Sequence, residues 1–234
     1  MTPDGEYLSG VFAGRLKEHA KRVLEEGWDR WRVLAQRRGY RPKKLPREPF
    51  DVALGDLIQP GGLKLEVAVR DLPRGDDSKP GHMEWHRHAY NLNWLDLTMD
   101  EAEEFVTASD QKQRVPSAVL EKLALRTLKD SVRGQCKNWE QGALREGELF
   151  SECIKREPHS LTMRLTGFAN LEQSGRAYSC RLHGLATYHS EHKRFTNFEI
   201  VAVGQRSGTA KANFRQDDPG PAPMGVALVM HGQD

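Results

Sequence analysis

The sequence predicts an α+β protein: a curved antiparallel β-sheet, partly closed like a barrel, packs against helices and is preceded by an amphipathic helix. Two observations support this prediction. Apolar residues alternate with polar ones in several segments after residue 62, which is typical of half-buried strands. Before residue 39 they recur every three or four positions, which is typical of an amphipathic helix.

Length and composition divide the chain of 234 residues into three parts. We expect a helical extension over residues 1–40, a linker rich in proline, lysine and arginine over 41–60, and an α+β sheet domain over 61–234. No stretch approaches the roughly 20 apolar residues of a membrane span, and the start lacks a signal-peptide pattern. The sequence therefore predicts a soluble, cytoplasmic protein. The three cysteines form no CxxC pair, so we expect reduced, buried thiols.

The first element is a helix over residues 15–38, which Gly39 should end. Trp28 and Trp31 lie on its apolar stripe, so we expect them to pack. Basic residues cluster at the end of the helix and in the linker. This candidate basic patch consists of Arg37, Arg38, Arg41, Lys43, Lys44 and Arg47. It could bind nucleic acid or an anionic membrane, although the net charge of +2 does not by itself imply such a partner; the alternative is a solvated helix face followed by a stiff linker.

The segment LKLEVAVRD (63–71) alternates strictly and predicts a half-buried strand. After a turn-rich loop, the segment GHMEWHRHAYNLNW (81–94) contains a candidate metal site. Side chains two apart in a strand share one face about 7 Å apart, which suits two ligands of one ion. The candidate ligands are His86, His88, Glu84 and His82, and the candidate metals are zinc, copper, iron and nickel.

This metal site depends on which side of the strand is buried. We expect Tyr90, Leu92 and Trp94 to face the interior, because they are the large apolar residues of the segment. The two imidazoles at 86 and 88 would then point to the same interior or its rim. The alternative is that they cap the solvated end of an apolar strand through ordinary hydrogen bonds.

Two helices should follow. Thr98 and Glu101 have the spacing of a capping box, which predicts a short helix. A second helix should begin near Pro116, bury Leu120 and Leu123, and end at Gly134.

From about residue 147 the apolar period changes to two, which predicts an antiparallel meander. Its best-defined strands cover 159–171, 176–189 and 195–204, and a last strand covers 225–230. Glycines at inward positions indicate either strong coiling of the sheet or close approach of a helix.

Polar residues around this meander offer little for a site. His183 and His189 should lie on the polar face roughly 20 Å apart, too far to share a ligand. We place His192 in an exposed turn. Asp217 and Asp218 should form a turn that could border a site.

Two resemblances concern parts of the chain. Residues 1–30, through TPDGEYLSGVFAG and the helix after it, resemble the last strand and closing helix of a thioredoxin-like domain. The active-site cysteine motif of that family is absent, so no redox residue is implied. Residues 60–234 resemble a bacterial family of no known function through LEVAVRDLPRGD, VRGQ, FEIVAVGQRSG and DDPGPAPMGVAL.

Three classes of function fit these observations. The favoured one is a non-catalytic binding or accessory domain, because no nucleophile elbow, Walker loop, dinucleotide fingerprint or H-E-x-x-H motif occurs. It needs a pocket or an exposed apolar patch on the concave side of residues 159–204, for a small ligand or a protein partner. The alternatives are a metal-binding protein or metal-dependent enzyme that uses the His-x-His strand, and a nucleic-acid or membrane adaptor that uses residues 30–47.

Overall fold

The computed structural model describes residues 16–38, 62–74, 90–210 and 212–231. The chain divides into two units between Leu57 and Ile58. The first contains one described helix, α1 (Leu16–Arg38). The elements of the second are β1 (Leu63–Asp71), β2 (Tyr90–Leu97), α2 (Met99–Glu103), β3 (Gln113–Arg114), α3 (Ser117–Thr127), β4 (Leu144–Glu157), β5 (Ser160–Gln173), β6 (Arg176–His189), β7 (Arg194–Ser207) and β8 (Ala222–Met230).

Helix α1 confirms the helix predicted over residues 15–38. Its apolar stripe is only partly covered, because the side chains of Leu24 and Trp28 are 72% and 61% exposed. The prediction that Trp28 packs is therefore wrong. On the polar face, Arg22 forms an ion pair with Glu26 one turn later, which offsets part of the positive charge. None of the helices in the described residues has both the length and the apolar character needed to cross a bilayer.

The second unit has one eight-stranded sheet in which every recorded pairing is antiparallel, as predicted. The strand order is β2-β1-β8-β7-β6-β5-β4-β3, so β1 enters between β2 and β8 while β8 to β4 follow one another as a meander. The terminal strands β2 and β3 do not pair, and the sheet is not closed.

Alternation of apolar residues determines which face of each strand is buried. In β1, Leu65, Val67 and Val69 are fully buried, whereas Arg70 is exposed. The inward residues of β5, β6, β7 and β8 follow the same rule. These strands confirm the period-two prediction; β6 has the predicted bounds, and β5, β7 and β8 extend up to three residues beyond theirs at one end or both.

Inward glycines allow neighbouring strands to approach more closely than a side chain would permit. A Cβ atom at Gly204 would lie 1.9 Å from the carbonyl oxygen of Ser179, and one at Gly167 would lie 2.0 Å from that of Glu148. These contacts are with the adjacent strand, so they indicate strong coiling. At Gly147 the second alternative also applies, because a Leu120 methyl group of α3 lies 3.3 Å from the Cβ position.

The sheet curls around α3. This helix contacts both β2 and β4, although those strands stand near opposite ends of the sheet. The concave face is filled by one continuous apolar core, in which Phe105 and Phe198 pack edge to face with ring centroids 5.1 Å apart. In the described part of the chain this core leaves no open surface on the concave side of residues 159–204, so the prediction of a concave pocket or apolar patch there is wrong.

The helices agree with their predicted starts, but one ends early. Thr98 and Glu101 form the predicted capping box at α2. Helix α3 ends at Thr127 instead of at Gly134. Trp139 explains the early end: its backbone N–H donates to Leu125 O, and its Nε1 donates to Leu128 O. These carbonyls are thus satisfied outside the helix.

The predicted orientation of β2 is wrong. Tyr90, Leu92 and Trp94 are 65%, 45% and 48% exposed, whereas Leu95 and Leu97 are buried. Pairing with β1 sets this register, because Leu97 and Leu95 stand opposite the buried Leu63 and Leu65. The apolar pairs at one end of the strand therefore determine its inward face, and the premise used to orient the predicted metal site fails.

Candidate binding face

The residues predicted to form sites are mostly beyond the described part of the chain. His82, Glu84, His86 and His88 lie outside the described residues, so the metal site stays a prediction. Among the basic patch, Arg37 and Arg38 end α1, and their side chains are not described; Arg41, Lys43, Lys44 and Arg47 lie outside the described residues. Within the described ranges, no group of three or more histidine, cysteine, aspartate or glutamate side chains is arranged to hold a metal ion.

A hollow of about 460 Å³ lies on the outward face of the sheet, across β4 to β7. Its lining residues are Glu146, Phe168, Asn170, Ser179, Cys180, Arg181, Val203, Gly204 and Gln205. Cys180 is 5% exposed and its Sγ contacts Ala169 O, so its backbone contributes to the floor. A second hollow adjoins the first and shares Glu146 and Phe168 with it.

Strand register arranges the outward side chains of the hollow in two parallel rows. The first row is Gln205, Ser179, Asn170 and Glu146, and the second is Val203, Arg181, Phe168 and Glu148. The first row is hydrogen-bonded: Ser179 Oγ donates to Asn170 Oδ1 at 2.5 Å, and Asn170 Nδ2 donates to Glu146 Oε2 at 3.2 Å. In the second row, Arg181 lies between the aromatic ring of Phe168 and the exposed Val203.

This hollow was not predicted from the sequence. Phe168 and Arg181 are on the predicted polar faces of their strands, and they meet only because β5 and β6 pair in the register that places them opposite each other. An aromatic residue among polar ones on an outward face was the available signal.

Charged residues, most of them buried, gather at one end of the sheet in what we call the charge cluster. It comprises four arginines and four aspartates, Asp71, Arg74, Asp130, Arg133, Arg206, Arg215, Asp217 and Asp218. Arg215 is fully buried, and its Nη1 and Nη2 donate to Asp71 at 2.8 and 2.7 Å. Its Nε and Nη2 donate to Asp130 at 2.8 and 2.9 Å, so this guanidinium makes two bidentate pairs.

Asp218 is the second centre of the charge cluster. Arg74 donates to both of its carboxylate oxygens at 3.0 and 2.6 Å, and Arg206 donates to Oδ2 and to the backbone oxygen. Arg133 Nη2 adds a donor at 3.3 Å. Among the described residues, the buried Nε atoms of Arg133 and Arg206 have no hydrogen-bond partner. The formal charges of the cluster cancel, so it joins chain segments without leaving an excess charge.

The pKa shifts follow from these contacts. Burial by itself would raise the pKa of Asp218, but the hydrogen bonds from Arg74 and the charge of Arg206 outweigh it and lower the pKa to about 2. Burial acts to lower the pKa of Arg215, but its bonds to Asp71 and Asp130 raise it above the usual value. The turn predicted at Asp217 and Asp218 is present, since Asp218 N donates to Arg215 O at 3.0 Å, and the Asp218 side chain lies inside the charge cluster.

Acid should weaken the fold through Asp218. Because its pKa is lower in the folded state than the ordinary value of 3.8, its contribution to stability is present above about pH 4 and is lost as pH falls toward 2. We expect Asp218→Asn to unfold at lower urea concentration at pH 5, with the difference from the natural protein shrinking toward pH 2. Urea midpoints measured between these values test this. The exposed Asp110→Asn is the control, and a difference for Asp218→Asn that stays constant with pH would contradict the assignment.

Three histidines meet at the hairpin tips at one edge of the meander. The His159 and His189 rings stack with centroids 6.3 Å apart, and the His189 and His192 centroids are 4.3 Å apart. His159 Nδ1 lies 2.9 Å from an oxygen of Glu191, and both side chains are well exposed. The exposed position predicted for His192 is confirmed. Its proximity to His159 was not predicted; it arises because Ser160 pairs with His189.

All three cysteines are free and buried. Burial raises the pKa of the Cys180 thiol to about 12, and it also raises the pKa of Cys136 above its usual value. Both are therefore thiols rather than reactive thiolates at neutral pH.

Fold and site together define the class: an α+β domain with one open, curled antiparallel sheet whose concave face is core and whose outward face carries a hollow. Comparison with protein-family models, curated proteins and solved structures finds no match for the chain. The two resemblances noted in the sequence therefore stay predictions.

Proposed function

We propose that this protein is a non-catalytic binding domain that takes a small ligand in the outward hollow over β4 to β7. The observation that carries the proposal is the hollow itself, where a hydrogen-bonded polar row runs beside a row containing Phe168 and Val203. Small-molecule sites combine apolar contact area with a few placed polar groups in this way.

Two further features support the proposal. The core is complete on the concave face, so the outward residues are not needed to fill it. Val201 and Val203 are 45% and 48% exposed beside the hollow, and bound ligand would remove this apolar surface from water. The carboxylate of Asp218, whose pKa is strongly lowered, is bound by arginines of the charge cluster. We therefore assign Asp218 a structural role in connecting the loops.

An NMR fragment screen tests the proposed function. Small aromatic acids, alcohols, amines and monosaccharides would be added separately to the ¹⁵N-labelled protein. We expect at least one class to shift the backbone amide signals of Ser179, Arg181, Val203 and Gln205.

Ser179→Phe should fill the hollow and abolish these shifts. The matched control is His183→Phe, an outward position on the same strand that does not line the hollow, and it should leave them unchanged. Shifts confined to other parts of the protein, or none with any class at millimolar concentration, would refute the proposed function.

A further inference from the structure

The central charged residue of the hollow is Arg181. Strand register places it between Phe168 on β5 and Val203 on β7. Its guanidinium carbon lies 5.8 Å from the centroid of the Phe168 ring, within the range of a cation–π contact. The exposed guanidinium group therefore lies near the ring, among the residues that line the hollow.

This arginine differs from those of the charge cluster in having no carboxylate partner. Within the ranges that the structure describes, Arg181 forms neither an ion pair nor a side-chain hydrogen bond, and its recorded partner is the Phe168 ring. The carboxylate of Glu148, in the same row, pairs with Arg114 at 3.2 Å. Glu146 accepts the hydrogen bond from Asn170.

Arg181 is well separated from Glu146, the acidic residue that lines the hollow. Glu146 is on β4 and Arg181 is on β6, two strand spacings or about 10 Å away along the sheet. At physiological ionic strength this distance exceeds the screening length of about 8 Å, so repulsion of a ligand anion by Glu146 is weak. A direct contact with the exposed Arg181 is much shorter than the screening length, so salt weakens it less.

The surroundings of Arg181 are suited to the rest of a ligand. On one side Gln205 and Ser179 offer an exposed amide and a hydroxyl group. On the other side Val203 and Val201 form an exposed apolar strip along β7. In a ligand with an anionic group and a flat apolar body, the anionic group would contact Arg181 and the apolar body would contact the valine strip.

Resting on the proposed function, we infer that the ligand is a small organic anion: its carboxylate or phosphate group binds Arg181, and its apolar body packs on Val203 and the edge of Phe168. Arginine binds both anions through paired N–H donors of its planar guanidinium group. The apolar body provides contact area that an inorganic anion lacks.

Three probes with the same ring system separate charge from apolar contact: 2-naphthoate, 2-naphthyl phosphate and the neutral 2-naphthylmethanol, with inorganic phosphate as a fourth. We expect one or both organic anions to shift the amide signals of the hollow, and the neutral alcohol and inorganic phosphate to bind at least about tenfold more weakly. Comparison of the two organic anions identifies the preferred acidic group. Binding should weaken as sodium chloride is raised.

Variants assign the charge to its residue. Arg181→Gln should weaken binding of the preferred anion about ten- to a hundredfold, while Arg181→Lys should have an intermediate effect because it keeps the charge and loses the planar donors. The control is Arg164→Gln, which removes an exposed outward arginine of β5 outside the hollow and should leave binding unchanged. Equal melting temperatures would show that all three variants fold.

Each result has a defined meaning. Equal binding of naphthylmethanol and the anions in the hollow, or unchanged binding by Arg181→Gln, overturns the inference and leaves the proposed function standing. Failure of all four probes to bind also overturns the inference, and the wider fragment screen then decides the proposed function separately.

Discussion

Replacing Arg215 with methionine should lower the free energy of unfolding by about 3–5 kcal/mol, the cost typical of removing one partner from a buried ion pair. Methionine is unbranched, shorter than arginine and uncharged, so the largely buried Asp71 and Asp130 would lose their bidentate partner. Arg206 Nε, at 4.0 and 3.7 Å from these carboxylates, offers only partial compensation. Urea unfolding followed by circular dichroism measures the loss.

An exposed ion pair in the same unit provides the control. Arg114 pairs with Glu148, and both side chains are more than one-third exposed, so Arg114→Met should change stability by less than about 1 kcal/mol. In the Arg215→Met background, Asp130→Asn should cost less than it does alone, because its partner is already missing. Additive effects of the two substitutions, or a loss below 1 kcal/mol for Arg215→Met, would show that the cluster does not hold the fold.

Alanine at Gly204 should destabilise the sheet by about 1–3 kcal/mol, the typical cost of overpacking a close contact. Its Cβ atom would lie 1.9 Å from Ser179 O and 2.5 Å from Cys180 Cα, so backbone must move to admit it. Since Gly204, Ser179 and Cys180 all line the hollow, the same movement should weaken binding of any ligand held there.

Gly147→Ala is the graded comparison. Its nearest atom, Phe168 O, is 3.1 Å from the Cβ position, so a small adjustment accommodates the methyl group and the loss should be clearly smaller. Thermal unfolding and the fragment-binding shifts, measured on both variants, test the pair. The interpretation of Gly204 as a site of strong coiling fails if the two alanine variants are equally stable.

Most of the fold could be predicted from the sequence because alternation is a local property. Leu65, Val67 and Val69 indicate the buried face of β1 without knowledge of its neighbours, and the strands of the meander do the same. The orientation of β2 could not be predicted in this way. Its apolar residues occupy both faces, and pairing of Leu95 with Leu65 determines which face is buried.

Polar residues on the inward face of β2 also help to explain its orientation. Asn91 and Asn93 share the inward face with Leu95, and Asn91 Nδ2 donates to Ser131 O at 2.8 Å. This partner is 40 residues away in the sequence, and its hydrogen bond satisfies the amide of the inward asparagine. Sequence periodicity carries no information about such distant partners.

The candidate sites were hard to predict for a related reason. Arg215 binds Asp71 across 144 positions of the chain, so the charge cluster has no local signature. Arg181 and Phe168 are ordinary residues of polar strand faces until β5 and β6 pair. The pair His86 and His88 does carry a strong local signal. These two residues lie outside the described residues, so the metal site stays a prediction.

An open sheet leaves a terminal strand that another chain could extend, and the segment before α3 limits this risk at β4. Cys153 N donates to Ser109 O, Val115 N donates to Leu149 O, and Ser151 Oγ donates to Phe105 O. The first two bonds occupy backbone groups of the fourteen-residue β4 that would otherwise template intermolecular β-pairing, and the third holds the covering segment against the strand. The protein thus keeps its outward face accessible while restricting edge-to-edge aggregation at β4, which the two-residue terminal strand β3 covers only in part.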